Sequence, residues 1–240
     1  MPTTRLTPPF WQHDAYTLNR LAYSLRAQAT TLSRRFTAWK RPRAIDLGAG
    51  SAPYRSLFVD AGFDYVACDL DDAAPVRIRP GEAVPLPAGE AALVVSFQVL
   101  EHVWDLDWYL GECRRLLADD GRLLLSTHGT WLFHPHPTDF RRWTRSGLEG
   151  ELRLRGFEPE SVTGVVGPLA WTTQFRAIGY HHLLSRLPLA GRPLAALMCS
   201  ILHLRMMFED RITPQQWIGT NAAIYLIVAR KAPPAAPTPS

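Results

Sequence analysis

The feature that most constrains this chain is a short apolar run, residues 43–47 (RAIDL), broken at once by Gly48-Ala49-Gly50. A run of that length and type reads as a strand, and the two glycines let the backbone turn tightly and approach a ligand closely. A second run, 64–69 (DYVACD), ends on Asp69. Further strands are expected at 75–79, at 91–97 (AALVVSF), at 122–127 (RLLLST) after the turn Asp119-Asp120-Gly121, at 157–165 and at 221–230. Between them the spacing predicts a helix from about Pro53 with Ser51 as cap. An amphipathic helix over 105–117 is opened by Asp105, and another over 144–155 is capped by Thr144 and stopped by Gly156. Strands alternating with helices imply a parallel sheet with right-handed crossovers and helices on both faces. The nearly all-apolar 91–97 fits a strand buried on both sides. Ligands of such sheets sit beyond the carboxyl ends of the strands, so function is expected in the loops after residues 47, 69, 97 and 127.

Around this core the chain divides into four parts. Residues 1–42 are an N-terminal helical segment; 43–165 and 221–231 form the α/β core; 166–220 is a helical insertion; and 232–240 is a Pro/Ala-rich tail expected to be disordered. The net charge of +4 is spread over groups such as Arg141, Arg142 and Arg145, with no signature of a nucleic-acid module, so no nucleic-acid partner is expected. Cys68, Cys113 and Cys199 are scattered and odd in number, which fits reduced packing residues in a cytoplasmic protein. The first residues, MPTTRLTPPFWQHD, lack the apolar stretch of a signal peptide. The longest apolar run, 193–204, falls short of the roughly 20 residues that cross a bilayer.

The glycine turn could serve a dinucleotide or a cationic ligand. A dinucleotide fingerprint wants a third glycine, where this chain has Pro53, and an apolar residue ahead of the turn. Instead Asp46 puts a carboxylate beside the site, which repels a pyrophosphate and suits a sulfonium and an ammonium group. Asp69, at the end of its own strand, can accept hydrogen bonds from ribose hydroxyls.

With these residues in place, AIDLGAG resembles motif I, and YVACDLD motif II, of class I S-adenosylmethionine (SAM)-dependent methyltransferases. LVVSFQVLEHV followed by LGECRRLLADDGRLLLSTHG resembles the methyltransferase type 11 (UbiE-like) group, over roughly residues 43–160. Ala52 stands at the third small position of motif I. The resemblance implies a Rossmann-like, seven-stranded, mostly parallel sheet with an antiparallel last strand, and SAM as cofactor. It implies that Gly48, Ala49 and Gly50 line the methionine moiety and that Asp46 acts near its amino group. Asp69 would bind the ribose, Leu70 flank the adenine, and Phe97 and Gln98 sit by the methionine end.

The fifth strand leads into His134-Pro135-His136-Pro137-Thr138-Asp139-Phe140-Arg141-Arg142, similar to an H-P-x-P-x-D-x-x-R-x-T stretch of some type 11 members. Methyl transfer needs an aligned nucleophile and often a base, and an imidazole suits that task. His134 and His136 are the candidate bases, with Asp139 as orienting or basic partner. Zinc on His128, His134 and His136 would lack a fourth ligand nearby in sequence, and no metal is expected. His102 reads as shaping the site. The insertion is read as a lid or substrate cap, with a homodimer interface and a membrane-surface contact as alternatives. The preferred activity is O-methylation of a small natural-product or lipid-like acceptor. A surface-glycan sugar, a non-catalytic SAM-binding scaffold and an NAD(P) oxidoreductase are the rivals.

Overall fold

The computed structural model describes residues 5–233. Seven strands form one sheet: β1 (Arg43–Leu47), β2 (Asp64–Asp69), β3 (Val76–Arg77), β4 (Ala91–Phe97), β5 (Leu117–His128), β6 (Phe157–Val165) and β7 (Ile224–Lys231). Their spatial order is β3-β2-β1-β4-β5-β7-β6. The pairs β1/β2, β1/β4, β2/β3 and β4/β5 are parallel, while β7 runs antiparallel to both β5 and β6. This is the expected architecture, with the strand order reversing between β1 and β4, the point beyond whose carboxyl edge such sheets bind their ligands.

Alternation explains why β4 is apolar throughout. Leu93 and Val95 pack in the layer with Leu25, Phe58 and Leu124, whereas Val94 packs in the opposite layer with Ile45, Leu110 and Leu123. Successive side chains point to opposite faces, and both faces are covered. The helices are α1 (Ala15–Ser33), α2 (Arg55–Asp60), α3 (Leu106–Leu116), α4 (Arg145–Leu154), α5 (Pro168–Leu184), α6 (Gly191–Ile212) and α7 (Gln215–Thr220). The two predicted caps form: Asp105 accepts from the Trp108 N–H at 2.9 Å, and Thr144 from the Gly147 N–H at 3.1 Å.

Four boundaries differ from expectation. The helix after the glycine turn starts at Arg55, with Tyr54 before it and no side-chain cap, rather than at Pro53 with Ser51. Ala52 takes a left-handed φ of 52°, which prolongs the turn. The Asp119-Asp120-Gly121 turn is absorbed into β5 as a register shift, Ala91 pairing with Leu117 and Leu93 with Arg122. A Cβ on Gly121 would lie 2.8 Å from the Ala91 carbonyl oxygen, so the irregularity needs glycine. The third strand is only Val76–Arg77, and β7 begins at Ile224. From residue 234 on, the expected disordered tail lies outside the described residues.

Between β6 and β7 stand α5, α6 and α7. α5 and α6 pack against each other, with Cys199 buried between them and its Sγ 3.9 Å from the Ala177 carbonyl oxygen. The other side of α6 exposes Leu194, Leu197, Ile201, Leu204 and Phe208. Among the described residues no helix is long and apolar enough to cross a membrane.

Candidate functional site

The glycine turn is tied to the neighbouring strand. The Gly48 and Ala49 N–H groups both donate to the Cys68 carbonyl, at 2.8 and 3.0 Å. Gly48 has φ 81°, and a Cβ there would lie 2.6 Å from a Val99 methyl, so glycine is required twice over. Gly50 has φ 54° but open space around it, so only its backbone angle asks for glycine. Its N–H donates to Asp69 Oδ2 at 2.6 Å, while Asp69 Oδ1 accepts from the Asp71 N–H at 3.3 Å. The two sequence signals, turn and acid, are thus joined by a hydrogen bond. Leu70, next to Asp69, is half exposed. Phe97 is buried, edge-on to Tyr54 and stacked on Phe58. Gln98 follows with a left-handed φ of 56°, pinned by its N–H to the Ser126 carbonyl at 2.9 Å and by Nε2 to Ser126 Oγ at 3.0 Å. Such angles are costly for a residue with a side chain and persist where surrounding structure enforces them.

Asp46 is buried at the end of β1. One carboxylate oxygen accepts from the Tyr65 hydroxyl, and the other accepts nothing. Burial pushes this carboxyl up to about 7, opposed by the Tyr65 hydrogen bond and reinforced by the charge of Asp69. Gln98 Oε1 is likewise buried and accepts no bond. The adjacent strands β1 and β4 therefore both end near an orphaned acceptor, which a ligand carrying N–H donors or positive charge relieves. A phosphate brings only more acceptors. The residues fit the cofactor that the sequence motifs imply and not a dinucleotide.

Beyond β4 and β5 lies a second polar cluster. Glu101 and His102 sit in a short turn (Leu100–His102), His128 ends β5, and the following loop folds back over them. The Phe140 N–H donates to the Glu101 carbonyl at 2.9 Å, and His102 Nδ1 lies 2.6 Å from the Thr138 carbonyl. The His134 ring centroid is 5.0 Å from that of His102 and 4.9 Å from that of His128. His136 stands at the exposed rim, 6.3 Å from His134. Asp139 is gripped by both terminal nitrogens of Arg142, one at 2.6 Å, which holds its carboxyl well below the usual range. Its Oδ2 also accepts from the His134 backbone N–H at 2.9 Å and lies 3.3 Å from His134 Nδ1. Asp139 therefore stays ionised and orients His134. Burial lowers the His134 pKa, only partly offset by Asp139, which favours the neutral ring. Burial lowers His128 further.

Glu101 is fully buried, and burial pushes its carboxyl up to about 7 against the opposing hydrogen bond from Thr127. The Thr127 hydroxyl donates to Oε2 at 2.7 Å; Oε1 accepts no bond and lies 3.5 Å from His128 Nε2. Sequence reasoning gave Glu101 no role; the available signal was an acid next to a histidine four residues past an apolar strand.

An aromatic wall joins this cluster to the insertion. Trp131 stacks on His128, with centroids 4.9 Å apart at 10°, and meets Phe175 of α5 at 5.8 Å. Phe175 in turn meets Trp171 at 5.3 Å. Beside it a depression of about 280 Å³ is lined by Trp131, Phe133, Asp139, Phe140, Arg141 and Arg142.

Comparison with known proteins follows the same outline. A family model described as a methyltransferase domain matches residues 18–162. A Mycolicibacterium smegmatis protein, named a probable S-adenosylmethionine-dependent methyltransferase, is 33% identical over 50% of this chain and 54% of its own length. A malonyl-[acyl-carrier protein] O-methyltransferase of Methylococcus capsulatus is 29% identical over 61% of this chain and 65% of its own. The chain thus spans about half to two thirds of these relatives. A solved S-adenosylmethionine-dependent methyltransferase from Mesorhizobium loti shares the fold, with a TM-score of 0.52 at 16% identity over 88% of this chain and 98% of that one.

Proposed function

The chain belongs to the methyltransferase-domain family of class I SAM-dependent methyltransferases, and from that premise we propose that it methylates a small apolar or aromatic acceptor, preferentially at oxygen. The observation that carries the reading is the pair of orphaned buried acceptors, Asp46 Oδ1 and Gln98 Oε1, beside a glycine turn clasped to Asp69. Bound SAM supplies an electrophilic methyl group on a cationic sulfur. Asp69 is assigned to the ribose hydroxyls, Gly48, Ala49 and Gly50 to the methionine moiety, and Leu70 to the adenine edge. Asp46 and Gln98 accept from the ammonium end, and Phe97 supports that end from the core.

The acceptor is assigned to the far side of the crevice, against the wall of Trp131, Phe175 and Trp171. This makes the start of α5 part of the acceptor pocket and favours a flat or apolar molecule. His134, oriented by Asp139 and with its pKa lowered by burial, is suited to take the acceptor proton at Nε2, with His136 at the rim as the second candidate. The name of the Methylococcus capsulatus relative, which specifies oxygen, supports an oxygen acceptor.

The test is calorimetric titration with SAM and with NAD, followed by a turnover assay for S-adenosylhomocysteine against a panel of phenols and fatty hydroxy compounds. SAM should bind and NAD should not. His134→Ala and His136→Ala should keep SAM affinity, and at least one should lose turnover. Tight NAD binding without SAM affinity overturns the cofactor reading; full turnover in both variants removes the proposed bases.

A further inference from the structure

We propose that Glu101, His102 and His134 form a binding site for one divalent transition-metal ion. One donor atom from each of the three lies within 4.8 Å of the others. Donors held at about 2.1 Å from a tetrahedral ion are about 3.4 Å apart, so small side-chain rotations close the site. Two imidazoles and one carboxylate are a donor set that suits zinc, iron(II) and cobalt(II) rather than magnesium or calcium.

The groups behind these donors strengthen the assignment. A metal-binding histidine usually gives its other ring N–H to a carbonyl or carboxylate, which fixes the tautomer and raises the basicity of the free nitrogen. His102 Nδ1 is engaged by the Thr138 carbonyl at 2.6 Å, and His134 Nδ1 faces Asp139 at 3.3 Å. Arg142 Nη2 also lies 3.4 Å from His134 Nδ1; in the tautomer with the Nδ1 proton directed at Asp139, as at Thr138 for His102, Nε2 is the nitrogen each ring offers to a metal. Asp139 is in turn fixed by Arg142. Independently, Glu101 is fully buried yet leaves Oε1 without a hydrogen bond, while Thr127 orients Oε2. A buried carboxylate oxygen without a hydrogen bond, 3.5 Å from His128 Nε2 and on a carboxylate that reaches within 4.8 Å of the His102 and His134 ring nitrogens, is costly unless it is protonated or a cation joins it.

Three protein donors leave a coordination position open, and His136 stands nearby at the rim. An acceptor hydroxyl on that position would be acidified by the ion, its proton passing to His136 or solvent and its oxygen left as the nucleophile. That role rests on the methyl-transfer reading, and it reassigns His134 from base to ligand. The site itself does not depend on the reading.

The experiment uses the full chain, treated with a chelator and titrated with cobalt(II) while visible absorbance is followed, then with zinc in competition. One ion per chain should bind, with absorption bands of a low-coordinate cobalt centre. Glu101→Gln, which keeps an acceptor for Thr127, and His102→Ala should each weaken binding by about tenfold or more. His182→Ala, exposed on α5, should leave it unchanged. SAM calorimetry on the same proteins reports whether each variant is folded. Cobalt bound with equal affinity by wild type, Glu101→Gln and His102→Ala, or not bound at all, overturns the site. Cobalt bound as expected in a chain that ignores SAM would leave the site standing and refute the cofactor reading.

Discussion

The carboxyl edge of the sheet and the outer face of α6 depart from ordinary burial in opposite directions. At the sheet edge, polar atoms of Asp46, Gln98 and Glu101 are buried without partners. On α6, Leu194, Leu197, Ile201, Leu204 and Phe208 are exposed. The first departure costs folding free energy, because an unsatisfied buried acceptor loses its water and gains nothing. The second forgoes a gain. A chain tolerates the first where a ligand repairs it, and the proposed reading assigns the orphans clustered at the sheet edge to a small-molecule ligand and the apolar stripe to none.

The largest effect that would break this contrast is at Gly48. Gly48→Ala must place a Cβ 2.6 Å from the branched Val99 side chain at a φ of 81°. The backbone angle alone costs about 1–3 kcal/mol. The turn should shift and SAM binding should disappear, as read by calorimetry, with a lowered unfolding midpoint. Wild-type affinity in that variant would mean that the turn does not shape the crevice. Next in size is Asp69→Ala, which removes the partner of the Gly50 N–H as well as the ribose acceptor. The expected loss of SAM affinity is about 1–3 kcal/mol; no loss would withdraw the ribose assignment.

These two positions were legible in the sequence because each sits at the end of a strand whose apolar run announces it. The same holds for the sheet: residues 91–97, short, all but one apolar and rich in valine, read as a buried strand, and the glycine turn fixes where β1 stops. The metal candidate was not legible. Its ligands come from two segments that meet only because the loop after β5 folds back, the Phe140 N–H reaching the Glu101 carbonyl. Along the sequence His128, His134 and His136 lie together, while Glu101 and His102 stand about thirty residues before His134 with nothing to join the two groups. The start of α2 was misplaced for a related reason: the left-handed turn at Ala52 is a backbone event, and Pro53 reads as a helix start whichever way the chain enters it. On α6 the periodicity predicted a helix but not which face would be covered, because Ala195, Cys199, Leu202 and Met206 form a second apolar side.

A third prediction concerns the charge of Asp46. Its folded pKa of about 7 lies above the ordinary value of an unfolded aspartate, so between pH 4 and 7 the folded chain holds a proton that the unfolded chain has lost. Stability of the ligand-free protein should therefore fall as pH rises through that window, by up to about 1.4 kcal/mol per pH unit from this group, and level off above it. Tyr65 and Asp69 are the groups that face it. A cationic ligand favours the ionised form, so SAM affinity should rise over the same range, by up to about tenfold per pH unit. Asp46→Asn should flatten both profiles in denaturant melts and calorimetry. A wild-type affinity that is constant from pH 5 to 8 would mean that Asp46 does not sense the ligand's charge.

The smallest expected effect sharpens the other side of the contrast. Leu204 is 60% exposed on α6, and Ile201 is 53% exposed one turn earlier. If the fold owes nothing to this stripe, Leu204→Gln and Ile201→Gln should each change unfolding free energy by no more than about 0.5 kcal/mol, the usual range for surface substitutions. The inner side of the same helix provides the scale. Met206 is fully buried against the core, where truncation to alanine costs about 2–5 kcal/mol. Because residues 204 and 206 are on one helix, propensity and local sequence are nearly constant between them, and the difference isolates burial. A loss above about 1 kcal/mol at Leu204 would require that this face be covered in solution, since an exposed leucine has no packing to lose. The apolar stripe would then be as much a part of the folded state as the orphaned acceptors, and the opposition between the two regions would fail.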